Sequence, residues 1–213
     1  MTSPENQEAI AGLTTSRIQA LSDGVFAIVF TLMVFQIRLP DLPASRPPGE
    51  LARHLRALWP EFLSYALSFI IAGVFWVGHH NIFHYVRRTD RLFLWLNLGF
   101  LMFIAFVPFS TALLGRYSQE QVAVVVYGAH LIIIGMLLYL VWSYATHRHR
   151  LVDPQIDPDF VHFVKGRILL SPAACAVAIG ASFVNVRWSL LLYLLVLAFY
   201  IVPGRIDRIW SRR

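Results

Sequence analysis

Cysteine and charge are both scarce in this sequence of 213 residues. Cys175 is the single cysteine, so no intramolecular disulfide framework can hold the fold together. Charged residues make up 14% of the chain, against about 25% in an ordinary soluble domain, and 57% of the residues are hydrophobic, against about 45–50%. A soluble domain cannot bury such an excess of apolar side chains. The composition therefore indicates an integral membrane protein whose surroundings are the lipid bilayer.

Long apolar runs recur along the chain, and a membrane-spanning helix needs about 20 such residues. The last run, 168–202, is too long for one span at about 1.5 Å per residue, so we expect it to fold back near Asn185. The sequence thus predicts an all-α integral membrane protein with six transmembrane helices in a single domain, 1–213. The expected spans are approximately 16–38, 61–83, 91–114, 121–145, 167–185 and 188–204.

The net charge of +6 could indicate nucleic-acid binding, but the basic residues lie at the ends of apolar runs rather than in one patch. Nucleic acid is therefore not an expected partner. With six spans both termini lie on the same side of the membrane, and twelve of the 18 Lys and Arg residues fall on that side. By the positive-inside rule, we expect a multi-pass protein of the cell membrane with both termini in the cytoplasm.

Asp23 lies at the threshold of the first apolar run, residues 25–37. If Ser22 were the N-cap of the helix, only about 16 residues would remain for the span, which is too short. A helix that starts at Thr15 or Ser16 spans about 34 Å and leaves Asp23 about two turns inside. A charge at that depth costs about 2.5–3.5 kcal/mol unless it is paired. On a helical wheel Arg17 falls about 120° from Asp23, so the partner should come from another helix.

The second span ends in His79, His80 and Asn81, at the depth where Asp23 needs a partner. A contact between Asp23 and one of these histidines, with Arg17 nearby, is the structural interpretation of this group.

Two catalytic interpretations of the same residues have little support. His80 and His84 have the spacing of a metal-binding pair on one helix face, but no second histidine box accompanies them. Ser22 and His79 could act as nucleophile and base, but the sequence has no G-x-S-x-G motif. We therefore expect neither a metal, nor a cofactor, nor an enzyme.

The other notable face of the first span is apolar. The helical wheel puts Ile28, Leu32 and Phe35 on one stripe, with Arg17 at its cytoplasmic end and Thr31 on its flank. Spacing alone does not distinguish a functional stripe from residues that pack against other helices or face lipid.

The motif Arg17-x-x-x-Leu21-Ser22-Asp23 opens the first span, and Trp76-x-x-His79-His80 closes the second. With these motifs the chain resembles the transmembrane protein 175 family of lysosomal and bacterial potassium channels. Leu21 stands where the family's R-x-x-x-F-S-D signature has phenylalanine. The resemblance implies a homotetramer in which four copies of the first helix line a central pore for passive conduction of potassium ions. It also implies a channel without a carbonyl filter, and the sequence contains no T-V-G-Y-G segment.

The resemblance further assigns roles to individual residues. The hydrophobic constriction falls on Ile28, Leu32 and Phe35, and Thr31 is a polar residue that flanks the pore. A ring of apolar side chains can gate by dewetting and can select ions by the cost of removing their water. The family's intracellular network, which holds the pore helix, falls on the following residues: Arg17, Ser22, Asp23, Trp76, His79, His80 and Asn81.

A proton-coupled secondary transporter is the alternative function. In such a protein Asp23 and the histidines would form a proton relay across the membrane.

Overall fold

The computed structural model describes the backbone of residues 4–39 and 47–201. This part of the chain folds into eight α-helices: α1 (Pro4–Leu32), α2 (Glu50–Ala57), α3 (Trp59–Tyr85), α4 (Arg91–Ala105), α5 (Val107–Arg116), α6 (Gln121–Thr146), α7 (Pro158–Ser182) and α8 (Val186–Ile201). Short 3₁₀ turns follow α1 at Met33–Gln36 and α6 at His147–His149. The predicted all-α fold class is confirmed.

Five segments are long and apolar enough to cross a membrane: Thr15–Phe35, Glu50–Tyr85, Arg91–Arg116, Gln121–His149 and Pro158–Ser182. A sixth apolar segment, Val186–Tyr200, is shorter and spans about 22 Å at 1.5 Å per residue. The chain reverses between α7 and α8 at Asn185, whose side chain accepts a hydrogen bond of 2.9 Å from the Arg187 N–H. The predicted end of the last span, residue 204, lies outside the described residues.

Two helices, α1 and α7, begin well before the predicted spans. α1 starts at Pro4, so Thr15 and Ser16 are interior residues and not N-caps. Proline suits the first turn of a helix, and no other proline interrupts the segment before Thr15. α7 starts at Pro158 rather than near 167, because Asp157 caps it with a side-chain bond to the Asp159 N–H.

The third predicted span, 91–114, is broken into α4 and α5 at Phe106. Pro108 lies in the first turn of α5, and proline cannot donate the backbone hydrogen bond that a continuous helix would need there. The break therefore follows from the sequence.

α6 lies at the centre of the bundle and packs against α4, α5, α7 and α8. Its Trp142, Ile134 and Val141 side chains are fully buried. At the crossing with α7, a Cβ added to Gly135 would lie 2.6 Å from Cγ of Pro172. Only glycine permits this approach, and small residues commonly let membrane helices pack closely.

A charged cluster joins α6 to the start of α4 at one end of the bundle. Asp90 caps α4 by accepting a hydrogen bond from the Phe93 N–H, and its second oxygen accepts one of 2.6 Å from the Tyr144 hydroxyl. Arg150 donates to that hydroxyl at 2.7 Å and lies 3.8 Å from the Asp90 carboxylate. Desolvation raises the pKa of Asp90, but the two hydrogen bonds and Arg150 together outweigh it and hold the pKa below its usual value.

Candidate functional site

The first helix has one buried and one exposed face. Ser22, Phe26, Val29 and Met33 are buried on the side that packs against α3 and α4. The opposite side carries the predicted stripe, where exposure in the single chain is 58% for Ile28, 54% for Leu32 and 74% for Phe35. The structure therefore brings the three predicted constriction residues onto one open apolar face.

The end of this stripe differs in geometry from the expected straight helix. The chain changes from α-helix to 3₁₀-helix at Met33 and is extended at Ile37, so the helix does not continue to residue 38. In a 3₁₀ turn residues three apart are eclipsed, which places Phe35 in line with Leu32. Thr31 is exposed beside them, and its hydroxyl donates a hydrogen bond of 2.9 Å to the Ile28 carbonyl.

Asp23 is half-buried, and its hydrogen-bond partner is Trp76 on α3. The indole Nε1–H donates to Asp23 Oδ1 at 2.9 Å. The expected contact with a histidine does not form: among the described residues Asp23 has no hydrogen bond or ion pair to His79 or His80, and Trp76 takes that place. His80 is exposed, with its ring centroid 5.5 Å from that of Trp76. Arg17 is exposed and forms no ion pair with Asp23.

A buried chain of polar side chains joins three helices behind α1. Ser22 donates to the Ile18 carbonyl at 3.0 Å and accepts a hydrogen bond of 3.0 Å from Asn97 Nδ2 on α4. Oδ1 of Asn97 lies 2.8 Å from His79 Nε2 on α3, and a carbonyl oxygen can only accept. Nε2 therefore carries the proton, and the chain ties α1, α4 and α3 together.

Aromatic rings enclose the end of this chain. The His79 imidazole stacks on Phe100, at a centroid distance of 5.3 Å and an angle of 6°, and on Phe83 at 4.3 Å. Phe26 of α1 lies 6.0 Å from the same ring. These apolar walls exclude water, so each member of the chain depends on its neighbour for hydrogen bonding.

The sequence interpretation missed Asn97 and included Asn81 in the network, whereas the polar chain runs through Asn97. Asn97 is the single amide in its apolar run. Asp23 was selected because a polar group inside a span needs a partner, and the same reasoning would have selected Asn97. Asn81 lies two residues beyond His79, about 200° around α3. It therefore faces α6, α7 and α8 and is not part of the polar chain.

Neither catalytic constellation forms in the structure. His80 and His84 are both exposed, and among the described residues no three His, Cys, Asp or Glu side chains are grouped so that they could hold a metal ion. Ser22 bonds to Asn97 rather than to His79, so there is no pair of nucleophile and base.

Comparison with known proteins places the chain among membrane ion channels. Residues 17–108 match the family described as endosomal/lysosomal potassium channel TMEM175. The chain is 34% identical over 190 residues to a potassium channel of Streptomyces collinus. The aligned region covers 87% of this chain and 91% of that protein. It is 38% identical over 189 residues to a potassium channel of Chamaesiphon minutus, and that alignment covers 87% of this chain and 92% of the relative. The chain belongs to the TMEM175 family.

Solved structures agree with this assignment. The crystal structure of a lysosomal potassium-selective channel TMEM175 homolog from Chamaesiphon minutus superposes with a TM-score of 0.73 at 35% identity, covering 89% of this chain and 97% of that one. The endosomal/lysosomal proton channel TMEM175 of Mus musculus is 28% identical over 191 residues, but this chain spans only 38% of its length. The family predicted from the motifs is confirmed, and its members are ion channels, not enzymes.

Proposed function

We propose that this protein is a potassium-permeable channel in which the first helices of four identical subunits line a central pore. The observation that carries the proposal is the exposed stripe of Ile28, Leu32 and Phe35 on a helix whose opposite face is buried. The bacterial relatives that match most of the chain are named potassium channels, which supports potassium as the permeant ion.

Each subunit contributes one six-helix domain, 1–213, in this proposal. The exposed stripe also carries Gly24 and Thr31, a small and a polar residue that suit an aqueous pore between copies of α1 better than a lipid-facing surface. The excess of basic residues on the side of both termini supports a protein of the cell membrane with both termini in the cytoplasm.

The constriction is built from layers of apolar side chains. Leu32 and Phe35 form two layers about 6 Å apart, given the rise of about 2 Å per residue in a 3₁₀ turn. Ile28 adds a third layer about 6 Å away on the α-helical side. Apolar rings at this spacing close the pore by dewetting, and they favour potassium because it loses its water more easily than sodium.

The polar contacts behind the stripe hold the pore helix and do not bind the ion. Ser22 and Asp23 point towards α3 and α4, where Asn97 and Trp76 fix them. These bonds set the rotation of α1 and so decide which side chains face the pore. Arg17 and His80 are exposed at the same end of the bundle and complete the cytoplasmic entrance.

Flux into liposomes that contain the purified protein tests this function. Potassium, sodium and proton gradients are compared for the wild type, Leu32→Ala, and the control Leu98→Ala, whose side chain is exposed on α4 outside the stripe. We expect passive, potassium-preferring flux that rises or loses selectivity only in Leu32→Ala. Flux that requires a proton gradient and ignores Leu32 would instead indicate a proton-coupled transporter.

A further inference from the structure

A cleft between α3 on one side and α7 and α8 on the other, with α6 as its floor, has no place in the proposed conduction mechanism. Its volume is about 610 Å³, within the range of about 300–1,000 Å³ typical of ligand sites. Along α3 it is lined from Ile70 to Tyr85, which is about 22 Å of helix. That length covers most of a hydrocarbon core of about 30 Å.

The lining of the cleft is polar at one end and mostly apolar elsewhere. Arg167 and Asn81 contribute the polar groups, together with Tyr200. The Tyr200 hydroxyl donates a hydrogen bond of 2.6 Å to the Arg167 carbonyl, and the Arg167 guanidinium lies 5.7 Å from the centroid of the Tyr200 ring. The first contact ties Tyr200 to the α7 backbone, and the second places the guanidinium beside the ring at the cleft. Within the described residues Arg167 forms no ion pair with a carboxylate.

We propose that this cleft binds one anionic lipid of the bilayer, with a hydrocarbon chain in the apolar part and the phosphate on Arg167. Asn81 supplies a second hydrogen-bond donor at the same end. Charge complementarity argues for this occupant, because an apolar helix packed here would leave the cation without a counter-charge in a low-dielectric environment. Arg167 lies at the end of the bundle that we assign to the cytoplasm, where the leaflet is rich in anionic lipids.

The chain offers two test variants with matched controls. Arg167→Gln removes the cation, and its control is Arg187→Gln, an exposed arginine at the opposite end of α8. Gly73→Leu fills the cleft, since Gly73 lines it and a Cβ added there meets nothing within 4 Å. Its control is Gly180→Leu, which has the same free space but lies outside the cleft. Thermal unfolding of all four variants checks that each one folds.

Native mass spectrometry counts the lipids that the full-length protein retains. The protein is extracted from bilayers of equal parts phosphatidylglycerol and phosphatidylcholine. We expect one phosphatidylglycerol per chain in the wild type and in both controls, about tenfold less of it in Arg167→Gln, and almost none in Gly73→Leu. Equal retention of the two lipids by the wild type, or equal retention by Gly73→Leu and Gly180→Leu, would overturn the proposal.

A photo-crosslinking residue at Val74, inside the cleft, identifies the occupant directly. A crosslink to phospholipid supports the proposal. A crosslink to a second copy of the chain shows that a neighbouring subunit fills the cleft and refutes it.

Discussion

The Trp76 indole donates its hydrogen bond to Asp23 from a different helix, at 2.9 Å, and so joins α3 to α1 beside the exposed stripe. A hydrogen bond to a charged group contributes about 1.5–3 kcal/mol, more than a neutral one. In the proposed channel this contact fixes the rotation of α1.

Trp76→Phe keeps an aromatic ring but removes the N–H donor. We expect it to lower the free energy of unfolding by about 1–3 kcal/mol, because Asp23 loses its partner at a half-buried position. Thermal unfolding in detergent measures the effect, with Trp95→Phe, an exposed tryptophan on α4, as the control. An equal loss in both variants would mean that the indole contributes only packing.

Asn97→Leu breaks the buried polar chain at its centre. It leaves both the His79 ring nitrogen and the Ser22 hydroxyl without their partner, so we expect a loss of about 1–3 kcal/mol in stability. The control is Asn81→Leu, a half-buried amide on the opposite side of α3. If the two variants unfold at the same temperature, the chain does not hold the helices together.

Asp90→Asn tests the charged cluster through pH. The pKa of Asp90 is lowered in the folded state, so its contribution to stability is complete above its unfolded value of about 3.9 and is lost as the pH falls through the folded value. We expect the variant to melt below the wild type at pH 7, and the difference to shrink progressively as the pH falls below about 3.9.

Asparagine at position 90 can still cap α4, so Asp90→Asn removes the negative charge without removing the N-cap. Asp157→Asn is the control, because Asp157 caps α7 through the same kind of bond. A difference between Asp90→Asn and the wild type that persists unchanged at low pH would show that ionisation is not involved.

Cysteine substitution tests which face of α1 meets water during conduction. The native Cys175 is buried, so the wild type supplies an unreactive background. We expect a water-soluble methanethiosulfonate reagent to reduce potassium flux through Ile28→Cys and Leu32→Cys, but not through Val29→Cys, whose position is buried, or Leu195→Cys on the exposed side of α8. Block at Leu195→Cys without block at Leu32→Cys would place the conduction path elsewhere.

Gly135→Ala tests the crossing of α6 and α7. The added methyl group would lie 2.6 Å from a rigid proline ring, so the helices must separate, at a cost of about 1–3 kcal/mol. Gly99→Ala is the matched control, because the nearest atom to its added Cβ is a leucine methyl at 3.8 Å. We expect a lower unfolding temperature in Gly135→Ala alone, and equal melting of the two variants would contradict this packing.

Periodicity and composition were sufficient for the fold class and for placing Ile28, Leu32 and Phe35 on one face of α1, because both depend on where apolar residues recur. That this face is exposed required the structure. Helix ends were less predictable. The start of α1 at Pro4 and the break at Phe106 depend on backbone hydrogen bonding around prolines, and hydropathy does not report it.

The partners of buried polar groups were the least predictable part of the site. That Asp23 needed a partner on another helix followed from the cost of a charge inside a span. That the partner is Trp76 rather than a histidine depends on how deeply α3 lies against α1, a tertiary relationship that no local pattern contains. Asn97 was recognisable as an isolated polar residue, but its link to Ser22 was not.

The division of α1 into a buried and an exposed face has a consequence for how this chain can change in evolution. Ile28, Leu32 and Phe35 are more than half exposed and lie outside the buried core of the subunit, whereas Phe26 and Ser22 belong to its interior. Substitutions on the first face therefore disturb the folding of a subunit less than substitutions on the second. Mutation can therefore explore the size and polarity of that face independently of the requirements that keep the subunit folded.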